Sequence, residues 1–448
     1  MATATIRKQA INGTVWTITG YGISQSLRLG SNLILTRLLV PELFGLMALV
    51  NVFLTGLALF TDIGIRPSII QNKRGNEPVF LNTAWTIQIV RSFAVWLGCI
   101  AIAFPVAQFY EEPRLTWLLP VVGFNSIIMG FTSTSLASLN RQMKISKLTM
   151  FEIITQIISL IVMVIWSWFN PTIWALVAGT LASGVSKMLL SHYLNSGEPN
   201  RFAWNKEVIK EITTFGKWIM IATAMTFLAS QVDRLMLGKM LSLEMLGVYS
   251  IAFTISEIPR QIVMKVGSAI IFPLISRRAD RPRQELRIKI KQQRWRLLLI
   301  LTLIVVAIVS FGDLLISRLY DERYLAATWM LPILGLGIWP TVLSETLGRC
   351  LSGLGKPQYA AWGAFYRFLF IVIGLPLGFT NFGILGALVV IALNDLPTYI
   401  AVTYGLWREK LLCLQQDLQA TTVFLGLVML MLVVRSLIGI DLPVINLT

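Results

Sequence analysis

The chain has 448 residues, 55% hydrophobic and 13% charged, with a mean hydropathy of +0.71. A soluble chain carries roughly 25% charged residues, so a disordered protein, a disulfide scaffold and an ordinary cytosolic enzyme are excluded. The net charge of +16 fits either nucleic-acid binding or the cytoplasmic Lys/Arg bias of membrane proteins. Three scattered cysteines (Cys99, Cys350, Cys413) and one histidine (His192) supply no disulfide framework, zinc site or His-based triad. No catalytic residue, metal or cofactor is expected.

A hydrocarbon core about 30 Å thick needs about 20 apolar residues in helix. Such runs fall near 12–38, 42–66, 80–104, 115–137, 148–169 and 172–195. A polar break from Asn195 to Glu211, containing Ser-Gly-Glu-Pro-Asn, follows them. Six more runs lie near 212–240, 244–272, 295–317, 326–352, 357–380 and 383–406, and a thirteenth near 419–438. No A-x-A-like cleavage site follows the first apolar run, so that run reads as a retained helix. The expected fold is all-α and integral to the membrane, with about 13 spans.

Basic residues test that path. One set of alternate connections carries Arg7/Lys8, Lys73/Arg74, Arg141/Lys144/Lys147, Arg201/Lys206/Lys210, the run Arg277 to Arg296, Lys356 and Arg408/Lys410; the other holds Arg114, Lys239, Arg318 and Arg323. The balance, roughly 22 against about 4, is the asymmetry of the positive-inside rule. It puts the N-terminus in the cytoplasm and, after thirteen spans, the C-terminus outside. The stretch from Arg281 to Arg296 then reads as topology and lipid-headgroup contact, with no nucleic acid as partner. The segment from Phe202 to Ile212 reads as a short amphipathic helix on the cytoplasmic surface.

The chain echoes itself. Arg37-Leu-Leu-Val-Pro-Glu-Leu-Phe-Gly-Leu46 and Lys239-Met-Leu-Ser-Leu-Glu-Met-Leu-Gly-Val248 share basic, Leu, Glu and Gly positions. Ser-Leu-Asn-Arg141 and Ser-Gly-Leu-Gly-Lys356 form a second echo. An offset of about 200 residues equals six spans, an even number, so the halves enter the membrane alike and form a parallel repeat. This gives an N-terminal six-helix lobe over 1–200, a C-terminal six-helix lobe over 201–410, and an additional transmembrane helix with a tail over 411–448.

A charge at mid-membrane costs about 2.5–3.5 kcal/mol on insertion scales, so each one is a functional candidate. Arg28, with Gln25 on the same face, Arg91, Arg260, Lys265 and Arg367 form a set of candidate substrate-binding residues for a phosphate-bearing ligand. The planar guanidinium fork bonds phosphate oxygens two at a time. Internal ion pairing is the competing reading, Glu257 with Arg260 and Asp395 with Arg367. Glu257, Asp395 and Glu345 are candidates for carrying coupling protons, and Asp233, toward the outer end of its span, for a structural or gating pair.

The run Leu35-Thr-Arg-Leu-Leu-Val-Pro-Glu-Leu-Phe-Gly-Leu-Met-Ala-Leu49, with Phe60-Thr-Asp-Ile-Gly64 and Ile69-Ile-Gln71, resembles the N-terminal signature of polysaccharide transporters. These belong to the multidrug/oligosaccharidyl-lipid/polysaccharide exporter superfamily and include the O-antigen and exopolysaccharide flippases. Ser230-Gln-Val-Asp-Arg-Leu-Met-Leu-Gly-Lys239 and Leu246-Gly-Val-Tyr-Ser-Ile-Ala252 resemble the stretch that opens the second half. The resemblance implies a flippase of the bacterial cytoplasmic membrane. It would carry an undecaprenyl-pyrophosphate-linked oligosaccharide from the inner to the outer leaflet by alternating access, for cell-surface polysaccharide biosynthesis. Membrane lipids, a polysaccharide polymerase and other assembly proteins are the implied partners. A multidrug or small-metabolite exporter of the same superfamily is the nearest alternative, and a membrane polymerase or glycosyltransferase the more distant one. The thirteenth span, carrying Arg435, departs from the twelve-helix plan.

Overall fold

The computed structural model describes residues 2–194, 199–266, 283–354, 356 and 358–440. Residues 195–198 of the polar break, 267–272 at the end of the eighth run, 277–282 of the basic stretch and Gly355 of the second echo lie outside the described residues. Among the described residues the chain is helical, without strands. It divides into two compact units, Met1–Phe227 and Leu228–Thr448.

The first unit contains α1 (Ala2–Leu38), α2 (Pro41–Phe60), α3 (Ile65–Gln71), α4 (Pro78–Tyr110), α5 (Leu115–Gly130), α6 (Ser135–Arg141), α7 (Ile145–Phe169), α8 (Ile173–Tyr193) and the first part of α9 (Lys206–Met240). Helix α4 packs on α5, α5 on α8, α8 on α7 and α7 on α1. On α7 the usual amphipathic logic is inverted. Met150, Ile154, Ile157, Ile161 and Ile165 are exposed at helical spacing, while Thr155, Ser159 and Ser167 are buried. An apolar outer face and a polar inner face suit a helix whose solvent is lipid.

The segment 202–212 differs from the surface helix expected of it. Val208 and Ile212, one turn apart at the start of α9, are fully buried against Ile65, Ile69, Phe80 and Ala84. Glu211 accepts hydrogen bonds from Arg74 (3.0 Å) and Asn72 (2.7 Å). The apolar face thus meets protein instead of lipid, and Lys206–Thr214 is the first arm of a span bent by 42° against Ile219–Met240. Beside it, Arg141 donates to the carbonyls of Ile69 (2.7 Å) and Ile70 (3.1 Å), satisfying acceptors that the end of α3 leaves open.

The second unit holds the rest of α9, α10 (Leu243–Ser256), α11 (Ile258–Val266), α12 (Arg283–Leu319), a 3₁₀ turn (Glu322–Tyr324), α13 (Ala327–Gly353), α14 (Gln358–Leu393), α15 (Leu396–Arg408) and α16 (Leu414–Leu437). Helix α13 is central, touching α10, α11, α12, α14 and α15. The stretch Gln358–Arg408 is 51 residues long but is not straight, because Gly383 adopts φ 60°, ψ −146°, open mainly to glycine. The two arms fold back on each other. A Cβ on Gly386 would stand 2.1 Å from the carbonyl oxygen of Gly378, so the missing side chains are what let the arms meet.

The two echoed segments adopt the same local form. Val40 precedes α2 with Pro41 and Glu42 in its first turn, and Ser242 caps α10 with Glu244 in its first turn. Acidic residues suit that end of a helix. Eight helical stretches among the described residues are long and apolar enough to cross a membrane, or up to ten if each bent pair counts as one. The protein is a multi-pass membrane protein.

Candidate functional site

Sequence-predicted residues converge in the second unit. Asp395 lies in the two-residue connection between α14 and α15, with Pro397 at the start of α15, and its side chain makes no capping bond. Instead it receives three donors. Arg260 reaches both its oxygens, Nη1 at 3.3 Å from Oδ1 and Nη2 on Oδ2. Arg367 Nη1 stands 3.0 Å from Oδ1, and the Thr341 hydroxyl donates to Oδ2 at 2.6 Å. Glu257 binds the remaining edge of Arg260, Oε1 to Nε at 2.9 Å, and the half-buried Glu345 also lies within the electrostatic field of Arg260. Both forms of ion pairing expected from the sequence are present, joined by a third contact between Arg260 and Asp395.

Local sequence explains why these carboxylates are held off regular helix. Glu257-Ile-Pro259 and Asp395-Leu-Pro397 share one pattern, an acid two residues before proline. Proline has no N–H for the preceding turn and clashes with its carbonyl, so it starts a helix more easily than it continues one. Glu257 accordingly separates α10 from α11, and Asp395 separates α14 from α15. Counting from Gly383, Asp395 is about 18 Å and Arg367 about 24 Å along their arms, well inside the length of each arm.

The other candidates have separate surroundings. On α1, Arg28 donates to Gln25 Oε1, and Gln25 donates to the Tyr21 hydroxyl at 2.8 Å. Ser24 beside them bonds Gln156 of α7 at 2.6 Å. These half-buried groups form a polar ladder up one face of α1. Arg91 of α4 is turned to the end of α2, where Nε donates to the Thr61 carbonyl at 2.7 Å and Nη2 to that of Ala58. Asp233 is buried and accepts from the Tyr249 hydroxyl at 3.0 Å. Lys265 is exposed on α11.

Two buried pairs were not foreseen. Arg294 and Asp417 meet at 2.6 Å with side chains 1% and 3% exposed, and Arg435 pairs with Asp313 at 2% and 7%. Arg294 also donates to the Leu343 carbonyl (3.0 Å) and Thr346 (2.8 Å). It therefore does not belong with the headgroup-facing charges of its basic stretch. Thr341, the hydroxyl on Asp395, also went unnoticed among the apolar residues of its span.

A multi-span helical bundle with charged residues at broken helices is the architecture of a membrane transporter. The fold matches an inward-facing multidrug resistance MATE family transporter of the MOP superfamily, with a TM-score of 0.66 and 13% identity over 92% of this chain and 98% of that one. It also matches the lipid II flippase MurJ in an inward closed conformation, with a TM-score of 0.66 and 12% identity over 96% and 91%. The succinoglycan biosynthesis transport protein ExoT of Rhizobium meliloti (strain 1021) is 20% identical over 84% of this chain and 75% of its own length. Residues 34–329 match the polysaccharide biosynthesis protein family, and the chain belongs to it.

Proposed function

We propose that this protein is a flippase that moves an undecaprenyl-pyrophosphate-linked oligosaccharide from the inner to the outer leaflet of the bacterial cytoplasmic membrane, for cell-surface polysaccharide biosynthesis. The observation that carries the reading is the pair of guanidiniums, Arg260 and Arg367, brought together on Asp395 inside an apolar bundle. Intramembrane charges of this cost are kept for a task, and a guanidinium pair suits phosphate oxygens. Transport follows alternating access, with Arg28 and Gln25 as a second group of substrate contacts on α1. The protein acts as a carrier and not as a catalyst.

The path we propose has thirteen crossings. They are α1, α2, α4, α5 with α6, α7, α8, α9, α10 with α11, α12, α13, the two arms of Gln358–Arg408, and α16. The N-terminus is cytoplasmic and the C-terminus outside. The orientation of α16 agrees with this count. Its charge pairs match Arg294 with Asp417 and Asp313 with Arg435, so α12 and α16 run parallel, as the ninth and thirteenth crossings must. The six-helix lobes over 1–200 and 201–410 belong to the same proposal.

A second reading, export of a small cationic molecule, is favoured by the acids Glu257, Glu345 and Asp395. The two separate in liposomes carrying a fluorescent lipid-pyrophosphate oligosaccharide in one leaflet. The flippase reading expects protein-dependent crossing, abolished in Arg28→Ala with membrane abundance unchanged. No crossing with any bacterial glycan tried rejects it.

A further inference from the structure

Asp395 is bonded as a bound anion would be. Two guanidiniums and one hydroxyl converge on its two oxygens, the donor set that a phosphate group recruits from a protein. Its own surroundings leave it replaceable. It sits in a two-residue break and not within a helix, and it makes no capping bond there. The donors are also not used up, since Arg367 Nε is buried without a hydrogen-bond partner. Buried donors are nearly always satisfied, and this one is a donor that the contact with Asp395 does not use. Exposure agrees: Arg260 and Arg367 side chains are 14% and 16% exposed.

We propose that Asp395 is a resident counter-anion, holding closed a seat for a dianionic phosphate group formed by Arg260, Arg367 and Thr341. The ligand enters by exchange. It takes the guanidiniums from Asp395, and on release Asp395 takes them back, so Arg367 is never left as an unpaired buried cation with Arg260 held by Glu257 alone. Exchange sets the ligand class. A monoanion gains little by replacing one carboxylate with another single charge, whereas a group with two negative charges and more oxygens satisfies both guanidiniums and the free Nε. Identifying that group as the lipid pyrophosphate rests on the flippase reading; the seat itself does not.

The test uses the full-length protein in detergent, with farnesyl pyrophosphate as the probe and short-chain phosphatidylglycerol as a monoanionic phosphodiester. Wild type should prefer the pyrophosphate by about tenfold or more. Asp395→Asn should bind it at least about tenfold more tightly than wild type, with a narrower preference over the monoanion. Asp395→Glu should restore wild-type behaviour, and Arg367→Gln should lose the tight binding. Unchanged or weaker pyrophosphate binding by Asp395→Asn overturns the proposal. If that variant does not fold, equal binding of the two probes by wild type overturns it, and a preference for the pyrophosphate supports it. Lipid crossing is measured on the same preparations. Wild-type crossing without tighter binding in Asp395→Asn rejects the exchange and keeps the flippase; the expected binding without any crossing does the reverse.

Discussion

Two groups of buried charges in the second unit are built on opposite rules. Between α12 and α16 every charge has its own partner: Arg294 with Asp417, and Asp313 with Arg435, all 7% exposed or less. At the broken helices, one carboxylate serves two guanidiniums and a hydroxyl, and the guanidiniums keep some exposure. The first arrangement fixes register. Its two pairs lie about 28 Å apart along the helices, near the thickness of the hydrocarbon core, so a shift by one turn would break both. Between them Trp339 stacks on Phe424 at 4.4 Å, and Val305, Val306 and Val309 fill the seam. In the second, under the exchange proposed above, the partners can be replaced. With that proposal the contrast separates charges that hold the fold from charges that handle a ligand.

The strongest way to break that distinction is to remove one partner of a sealed pair. Arg294→Met leaves Asp417 buried without its cation, and about 3–5 kcal/mol of stability should be lost. Thermal unfolding in detergent would show it as a markedly lower midpoint and a reduced folded yield. The double variant Arg294→Met/Asp417→Leu should recover most of the loss, because an apolar pair of similar volume packs without desolvation cost. A single variant as stable as wild type would remove the pair from the framework and the distinction with it.

Arg91 sharpens the same line in the first unit. Its guanidinium is spent on the Thr61 and Ala58 carbonyls at the end of α2, and without it Ala58 would keep only the long 3.3 Å bond from the Thr61 hydroxyl. Arg91→Leu should therefore cost about 1–3 kcal/mol in the same unfolding measurement. Normal stability with lost lipid transport would move Arg91 from the holding group to the handling group.

The sequence shows which charges lie inside the membrane but not which of them meet. Glu257, Arg260, Arg367 and Asp395 stand out because a charge in an apolar run is costly wherever it sits, and the acid-x-Pro pattern at Glu257 and Asp395 explains the helix breaks. Periodicity gives the face of a helix and not its neighbour. Arg294 and Asp417, 123 positions apart, could therefore not be paired by inspection. Arg294 was further hidden by the basic residues around it, since only burial distinguishes it from Arg296. The start of α9 went astray for a related reason. Val208 and Ile212 mark an apolar stripe, and the stripe reads the same whether lipid or Ile65 and Phe80 covers it.

The smallest effect belongs to charges outside both groups, at the connection between α4 and α5. Arg114 Nε donates to Glu112 Oε1 at 2.7 Å, and another of its nitrogens reaches Glu42. The hydrogen bond from Arg114 is the chief reason the Glu112 carboxyl lies below its ordinary value of 4.5, with burial opposing it. The unfolded chain therefore takes up this proton more readily than the folded one. The stabilising contribution is complete above the unfolded value and disappears as pH falls through the folded one. With Arg114 37% exposed, the pair should contribute less than about 1 kcal/mol. Glu112→Gln should accordingly be slightly less stable than wild type at neutral pH and equal to it in strong acid, with the gap shrinking in high salt. A deficit that persists in acid would mean that Glu112 acts through packing. The deficit of Arg294→Met should hardly change with salt, because water and ions do not reach a sealed pair.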